Sequence, residues 1–135
     1  VQAGWPSCGF DILPYVPLMR GYNGKKHWVT SRQFPSGVKV EQTWHILREQ
    51  APNTQLVYEC RVGGSNGDHT LISTSAGCEN QFNMGPMGYV YKTQVAGTSP
   101  IYRCYIATTG DHFISSDSNC EGQTKESLIG YGFKK

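Results

Sequence analysis

The chain has 135 residues, of which 38% are hydrophobic and 16% are charged, and its formal net charge is +2. This length fits one domain with a real core. The small net charge excludes nucleic-acid binding that depends on electrostatic attraction to the phosphates. No apolar run approaches the roughly 20 residues that would insert into a membrane. Few charges with many Tyr, Gly, Ser and Thr favour a β-rich, secreted domain. Since the first residue is Val1 rather than Met, we interpret the chain as a mature product whose leader has been removed, a trimmed expression tag being the alternative.

Short runs rich in β-branched and aromatic residues predict nine strands and no helix. Tight turns at Asn23-Gly24, Asn66-Gly67 and Thr109-Gly110 join the first two strands of each group of three, because Asn and Gly tolerate positive φ. The predicted strands cover 18–22, 27–31, 42–47, 56–62, 70–74, 88–93, 101–106, 112–116 and 128–133.

The sequence repeats itself three times. His27, His69 and His112 each follow one of the tight turns, and they are separated by 42 and 43 residues. The repeats cover approximately 9–50, 51–94 and 95–135. Three copies of about four short strands predict an all-β chain with the β-trefoil fold, a six-stranded barrel capped by three hairpins. A seven-strand sandwich is the alternative, but it does not explain the three-fold period.

The cysteines follow the repeat. Cys60 and Cys78 in the second copy match Cys104 and Cys120 in the third, which predicts the disulfides Cys60–Cys78 and Cys104–Cys120 and a secreted protein. A zinc site is the competing interpretation, but no Cys-x-x-Cys pair is present. Cys8 is left over, and we expect either an inter-chain disulfide that links a homodimer or a buried free thiol.

The repeated aliphatic and aromatic positions are interpreted as packing. We expect Trp44, Tyr89 and Tyr131 to be core or half-core residues. The aliphatic core positions are Leu18, Val57, Ile101, Val29, Leu71 or Ile72, and Ile114.

The charged residues around the three histidines are the candidate functional residues. A sugar offers an apolar face and a rim of hydroxyls, which aromatic rings and charged or bidentate hydrogen-bonding groups recognise. Arginine could also bind the carboxylate of an acidic sugar, and three sites on one molecule would gain through effective concentration. The candidates are Arg20, Lys26, His27 and Trp28 in the first repeat, Arg61, Asp68 and His69 in the second, and Arg103, Tyr105, Asp111 and His112 in the third.

A structural role for these turns is the other interpretation. Asp would then cap the turn and His would pack at the start of the strand. Against this, Lys26 stands in the first repeat where the others have Asp68 and Asp111, and a long cation does not readily replace a capping acceptor.

Catalysis is not expected, because histidines and acids are distributed over the repeats rather than gathered in one asymmetric centre. No cofactor is expected, and no metal either, since neighbouring residues such as Asp68 and His69 point to opposite faces of a strand. A protease inhibitor, with the segment 75–86 as its reactive loop, or a secreted signalling protein remains the alternative function.

Three short motifs of the third repeat carry a resemblance. Tyr102-Arg103, Asp111-His112-Phe113 and the closing 130–133 run, Gly-Tyr-Gly-Phe, resemble the repeats appended to many secreted bacterial hydrolases. Their cysteine-bearing form in a short chain resembles invertebrate lectins that bind galactose or galacturonic acid, such as the gonad lectin of sea hares. The resemblance covers the second and third repeats, whereas the first departs from it at Met19 and Lys25-Lys26. It implies a secreted β-trefoil lectin whose partners are glycans.

Overall fold

The structure is a computed structural model that describes residues 14–63 and 68–134. Cys8, residues 9–13 of the first repeat and the Asn66-Gly67 turn therefore lie outside the described residues. Within the described ranges the chain is all-β, and two single 3₁₀ turns, Cys78–Asn80 and Cys120–Gly122, are its helical segments. None of these segments has the length and apolar character needed to cross a membrane.

All nine predicted strands are present, although the third strand of each group begins earlier than the sequence suggested. The strands are β1 Tyr15–Tyr22, β2 His27–Thr30, β3 Lys39–Leu47, β4 Thr54–Val62, β5 His69–Ser73, β6 Phe82–Tyr91, β7 Ser99–Ile106, β8 Asp111–Ser115 and β9 Thr124–Lys134.

The strands form three units with the same antiparallel pairing, namely unit 1 (β1–β3), unit 2 (β4–β6) and unit 3 (β7–β9). In each unit the first strand pairs with both the second and the third. The three third strands also pair with one another, through Leu47 with Tyr89, Tyr91 with Tyr131, and His45 with Phe133. The hairpins of the three units pack against one another at β2, β5 and β8. Long-range pairing thus brings the three repeats together around a common centre.

A β-bulge recurs at one place in each unit. The pairing between first and third strands shifts at Arg20/Gly21, at Glu59/Cys60 and at Arg103/Cys104. At this shift one residue of each third strand has no opposite partner, and units 2 and 3 carry a second shift at Val57/Tyr58 and Ile101/Tyr102. The residues without a partner at the shared shift are Glu41, Met84 and Glu126. Because a bulge re-aims the side chain that it carries, these three positions are structurally equivalent.

The predicted core is confirmed. Trp44 is fully buried, and its indole Nε1 donates to Ser116 Oγ at 2.9 Å. Tyr89 and Tyr131 are half-buried at its margin. One cluster contains the predicted aliphatic positions of all three units, Leu18, Val29, Val57, Ile72, Ile101 and Ile114.

Both predicted disulfides are confirmed, and unit 1 replaces them by packing. Cys60 is bonded to Cys78 and Cys104 to Cys120. In unit 1 the corresponding position is Gly21, and a Cβ there would lie 2.6 Å from Val38 Cγ1 and 2.8 Å from Phe34 Cζ. These two side chains therefore fill the space next to Gly21, at the place where the other units carry a buried disulfide.

The expected disulfide-linked homodimer has to be corrected. The four cysteines in residues 14–63 and 68–134 are all used in the two intramolecular disulfides, so none of them is left for a bond between chains. Cys8, to which that expectation was attached, lies outside the described residues.

Candidate functional site

His27 begins β2 and lies half-buried between two aromatic rings. Its ring centroid is 4.4 Å from that of Tyr22 at the end of β1, and 5.1 Å from that of Phe113 on β8. The tight turn between β1 and β2 positions it, because Asn23 Oδ1 accepts the backbone N–H groups of Lys25 and Lys26. The aromatic neighbours leave the edge of the imidazole that carries Nε2 directed towards β3.

Glu41 meets that edge from the bulge of β3. Its Oε1 lies 3.5 Å from His27 Nε2, and its side chain is 34% exposed. An open hollow of about 370 Å³ adjoins it, lined by Tyr22, Glu41 and Lys39 among others, a volume within the ordinary range for ligand pockets. Tyr22, His27 and Glu41 together are called site 1.

Unit 3 repeats this arrangement with Tyr105, His112 and Glu126, which are called site 3. The ring centroids of Tyr105 and His112 are 5.0 Å apart. His112 Nε2 lies 3.5 Å from Glu126 Oε1, the same distance as in site 1. The exposed fractions of the two imidazoles are also alike, at 14% for His27 and 15% for His112. The same three residue types thus recur at equivalent places with the same geometry.

Unit 2 does not repeat it. Arg61 stands at the position of the tyrosines and Met84 at the position of the glutamates. His69 is only 1% exposed, and its Nε2 is 2.9 Å from His112 Nδ1 in unit 3. Within the described residues, unit 2 therefore lacks the outward-facing histidine and carboxylate of sites 1 and 3.

Asp111 is buried at the junction of units 1 and 3. It is 1% exposed, and it accepts hydrogen bonds from the backbone N–H groups of His27 and His112. Its Oδ2 is also 2.6 Å from His27 Nδ1. The hydrogen-bond partners of this carboxylate are therefore groups of the protein itself, and one of them is the imidazole of His27 in unit 1. Lys26, the residue at the same sequence position in unit 1, is almost buried, and its ammonium donates to the carbonyl of Thr109.

Arg20 and Arg103 lie between units and are engaged by carboxylates. Arg20 is 7% exposed and donates to Glu41, to Glu121 and to the carbonyl of Ile114. Burial alone would lower the pKa of Arg20, but the hydrogen bonds that it donates to Glu121 and Glu41, together with their charges, outweigh burial and raise that pKa. The hydrogen bond from Arg20 in turn holds the pKa of Glu121 below its ordinary value.

Arg103 makes the equivalent contacts around unit 3. It donates to Glu126, to Glu79 and to the carbonyl of Ile72. Burial opposes the charge of Arg103, yet its hydrogen bond with Glu79 and the charge of Glu126 raise its pKa. The hydrogen bond from Arg103 lowers the pKa of Glu79. Both arginines therefore fix the glutamates of sites 1 and 3 in place.

In unit 2 the polarity of this contact is inverted. Glu59 occupies the position of the two arginines, since it faces Ile72 on β5 as Arg20 faces Val29. Glu59 Oε1 accepts from Arg32 Nη2 at 2.9 Å and from Thr30 Oγ1 at 2.8 Å. Each unit thus contributes one ion pair to its neighbour, but unit 2 supplies the acid.

The remaining candidates of unit 2 lie at the surface. Arg61 Nη2 is 2.5 Å from Asp68 Oδ2, and both side chains are more than 40% exposed. The guanidinium of Arg61 also lies over the ring of Trp28, 5.6 Å from its centroid. Trp28 is itself 8% exposed. These residues form a separate surface that is not shared with sites 1 and 3.

Sequence reasoning brought His27, Tyr105 and His112 forward but missed Tyr22, Glu41 and Glu126. A signal for the glutamates was present, because Glu41 follows His27 and Glu126 follows His112 by the same 14 residues. Without the bulge, however, nothing in the sequence says that these residues turn towards the histidines.

Two further sequence expectations concern other chemistry. In residues 14–63 and 68–134 no group of three or more His, Cys, Asp or Glu side chains is placed to hold a metal ion. The segment 75–86 contains the disulfide-bonded turn Cys78–Asn80 and the first residues of β6, which are paired with β4.

Comparisons of the chain with protein-family models, with curated proteins and with solved structures give no match.

Proposed function

We propose that this chain is a secreted, non-catalytic lectin with the β-trefoil fold, and that sites 1 and 3 bind galactose-type sugars. The trefoil is supported by the three equivalent units, by the mutual pairing of β3, β6 and β9, and by the hairpins that pack together at one end. Two intramolecular disulfides support a secreted setting.

The recurrence of the tyrosine, histidine and glutamate cluster carries the proposal. If the histidine served only to close its turn, the same 3.5 Å separation between an imidazole nitrogen and a glutamate oxygen would not need to recur in a second unit. A hydroxyl that reaches both atoms would donate its one hydrogen either to the carboxylate or to an unprotonated Nε2, and it would accept a hydrogen bond from Nε2 when that nitrogen carries a hydrogen. The neighbouring ring, Tyr22 or Tyr105, offers an apolar face to the sugar ring.

The charges at the two sites favour a neutral sugar over galacturonate. Each site presents a carboxylate, and Arg20 and Arg103 are already bound to glutamates. Lys39 adds a cation to the hollow at site 1, whereas Thr124 stands at the equivalent place in unit 3. Any affinity for the acidic sugar would therefore reside in site 1, and galactose should bind at both sites.

Other functions have less support. A reactive loop of a protease inhibitor is a free extended segment, but two thirds of the segment 75–86 is strand or disulfide-bonded turn. Catalysis of glycoside cleavage needs two carboxylates that flank one bond, and each of sites 1 and 3 offers one.

Calorimetric titration of the protein with galactose and with galacturonate tests the proposal. We expect weak binding of galactose, which the double variant Glu41→Gln/Glu126→Gln abolishes because an amide is a weaker acceptor than a carboxylate. Glu49→Gln is the matched control, because it makes the same change at an exposed residue beyond the opposite end of β3. Absence of galactose binding, or galactose binding that survives the double substitution, would remove the proposed function.

A further inference from the structure

Sites 1 and 3 are alike on their outward side and differ on their inward side. His27 Nδ1 lies 2.6 Å from Asp111 Oδ2, whereas His112 Nδ1 lies 2.9 Å from His69 Nε2. Asp111 belongs to unit 3 and His69 belongs to unit 2, so the inward partner of each imidazole comes from the neighbouring unit. One partner is a carboxylate and the other is a second imidazole.

The carboxylate of Asp111 suits both protonation states of His27. Because the carboxylate accepts a hydrogen bond, it holds the proton of the neutral imidazole on Nδ1. Nε2 then carries no hydrogen and faces Glu41. When His27 becomes protonated, Nε2 gains a hydrogen that faces the carboxylate of Glu41, and the contact with Asp111 remains. The backbone N–H of His27 also donates to both oxygens of Asp111, at 3.0 and 3.1 Å. Acid therefore leaves the orientation of His27 unchanged.

The pair of His69 and His112 behaves differently. In a hydrogen bond between two imidazoles one nitrogen donates and the other accepts, and when both rings are protonated neither can accept. The first added proton is opposed by burial, since His69 is 1% exposed and the side chain of His112 is 15% exposed. The second added proton removes the hydrogen bond between the rings. It also makes both stacked imidazoles cationic, with their ring centroids 5.2 Å apart. Acid therefore releases the ring of His112 from its partner.

The other groups around the two histidines reinforce this difference. His27 meets Glu41 from β3 and Asp111 from β8, which are both acidic. His112 is influenced by Glu126 of β9, Arg103 of β7, Asp111 of its own strand and Glu79 of the 3₁₀ turn, besides His69. Burial lowers the pKa of His112, and the charges of His69 and Arg103 act in the same direction against those of Glu126 and Asp111.

We propose that Asp111 and His69 are positioning residues that act across unit boundaries, and that site 3, but not site 1, loses its orientation in acid. The pH response of binding rests on the proposed lectin function, whereas the orientation of the imidazoles does not. At a pH low enough to protonate both His69 and His112, the molecule would keep one sugar site and lose the other. Loss of the second site removes the gain from effective concentration on a dense glycan surface.

Nuclear magnetic resonance of the histidine side chains tests the orientation without any sugar. Long-range proton–nitrogen spectra report the tautomer and the titration of each ring. In the wild-type protein we expect the neutral imidazole of His27 to carry its proton on Nδ1, and His112 to stay neutral below its ordinary pKa of about 6.5. If both rings titrate alike, or if His112 shows the mixed tautomers of a ring without a fixed partner, the proposal is wrong.

Two variants then separate the inward partners. His69→Gln keeps an amide beside His112 but removes the titrating ring, so the titration of His112 should change while that of His27 does not. Asp111→Asn should disturb the tautomer of His27, and it should lower the pKa of His112 further because it removes a negative charge that raises it. An unchanged His112 spectrum in folded His69→Gln protein would overturn the assignment, and the wild-type titration decides the matter if that variant does not fold.

Galactose binding provides the functional readout. The double variant Tyr22→Ala/Glu41→Ala leaves only site 3, and Tyr105→Ala/Glu126→Ala leaves only site 1. As the pH falls below about 6.5 and the pair takes up its protons, the dissociation constant at site 3 should rise by up to about tenfold for each pH unit over which one proton is coupled. The dissociation constant at site 1 should depend less on pH, because Asp111 holds His27 in place. Equal pH profiles would overturn the inference, whereas no binding at any pH refutes the lectin function and leaves the spectra to decide the orientation.

Discussion

The guanidinium of Arg103 in unit 3 binds both carboxylate oxygens of Glu79 in unit 2, with 2.7 Å from Nη1 to Oε2 and 3.0 Å from Nη2 to Oε1. The same guanidinium holds Glu126 at 2.7 Å, so that one side chain joins two units and also fixes the carboxylate of site 3. Arg20 does the same between units 1 and 3, through Glu121 and Glu41.

Arg103→Met should destabilise the fold. The substitution keeps most of the apolar stem but removes the donors of two carboxylates and of the carbonyl of Ile72. Because Glu79 is 46% exposed and partly solvated, we expect a loss of about 2 kcal/mol in the free energy of unfolding. Arg61→Met is the control, since its ion pair with Asp68 is exposed on both sides and should be worth less than about 1 kcal/mol. Equal losses in urea unfolding would contradict a special role for Arg103.

The inverted pair in unit 2 predicts a charge-swap rescue. Glu59→Arg places a cation in the buried position that faces Arg32, so it should be strongly destabilising. Adding Arg32→Glu restores an ion pair with the polarity of the other two units. A double-mutant cycle in urea should give a coupling energy of about 1–3 kcal/mol in favour of the swapped pair. Additive losses would show that the two side chains act independently.

Acid should weaken the fold through Glu79 and Glu121. The pKa of each is held down by the hydrogen bond from an arginine, Arg103 or Arg20. Their stabilisation is therefore complete above the unfolded-state pKa of about 4.3 and is lost as the pH falls through the folded-state value. His112 acts in the same direction at higher pH, because its lowered pKa makes the unfolded chain take up a proton first, below about 6.5.

Urea unfolding between pH 7 and pH 3 measures these effects. The double variant Glu79→Gln/Glu121→Gln should start from a lower stability at pH 7 and lose less of it towards pH 3. A parallel pH profile for the variant and the wild-type protein would show that other carboxylates govern the acid response.

Local sequence chemistry was sufficient for the strands, for the two predicted turns within the described residues and for the disulfides. Alternation and β-branched residues predicted all nine strands, and the matched cysteines predicted both bonds. The sequence did not predict the first residues of β3, β6 and β9. These residues are largely polar or charged, so they show no strand pattern, and they are strands because they pair with β1, β4 and β7. Only tertiary pairing supports these segments.

The candidate site depends on contacts that no local pattern reveals. Asp111 lies next to His112 in the sequence, yet its carboxylate orients His27, 84 residues away. His69 belongs to the same sequence motif as the other two histidines, but in the strand pairing it faces Val62, and Thr70 faces Arg61 as His27 faces Tyr22. The register of the β4–β5 pair therefore places His69 where unit 3 has Asp111, and it is buried against His112.

The tight packing around Gly21 predicts that unit 1 tolerates no side chain there. Gly21→Ala would bring a Cβ to 2.6 Å from Val38, and we expect a loss of about 1–3 kcal/mol from overpacking. Val38→Ala should recover part of that loss in the double variant. Gly77→Ala is the control, because the nearest atom to its Cβ is 3.6 Å away and its φ is −76°. A harmless Gly21→Ala would mean that Phe34 and Val38 move aside.

Calorimetry should give a stoichiometry of two galactose molecules per chain rather than three. Unit 2 lacks the glutamate at the bulge and the tyrosine, and its histidine is buried. The double substitution Tyr22→Ala/Glu41→Ala should lower the number to one, and the corresponding change at Tyr105 and Glu126 should do the same.

Phe82→Ala serves as the control for that count. Phe82 is 68% exposed in unit 2, opposite Arg61 and at the position that Lys39 holds in unit 1. Its removal should leave both galactose molecules bound with unchanged affinity. A stoichiometry of three that Phe82→Ala lowers to two would show that unit 2 binds sugar through its own chemistry, with the arginine and the exposed ring in place of the histidine and glutamate.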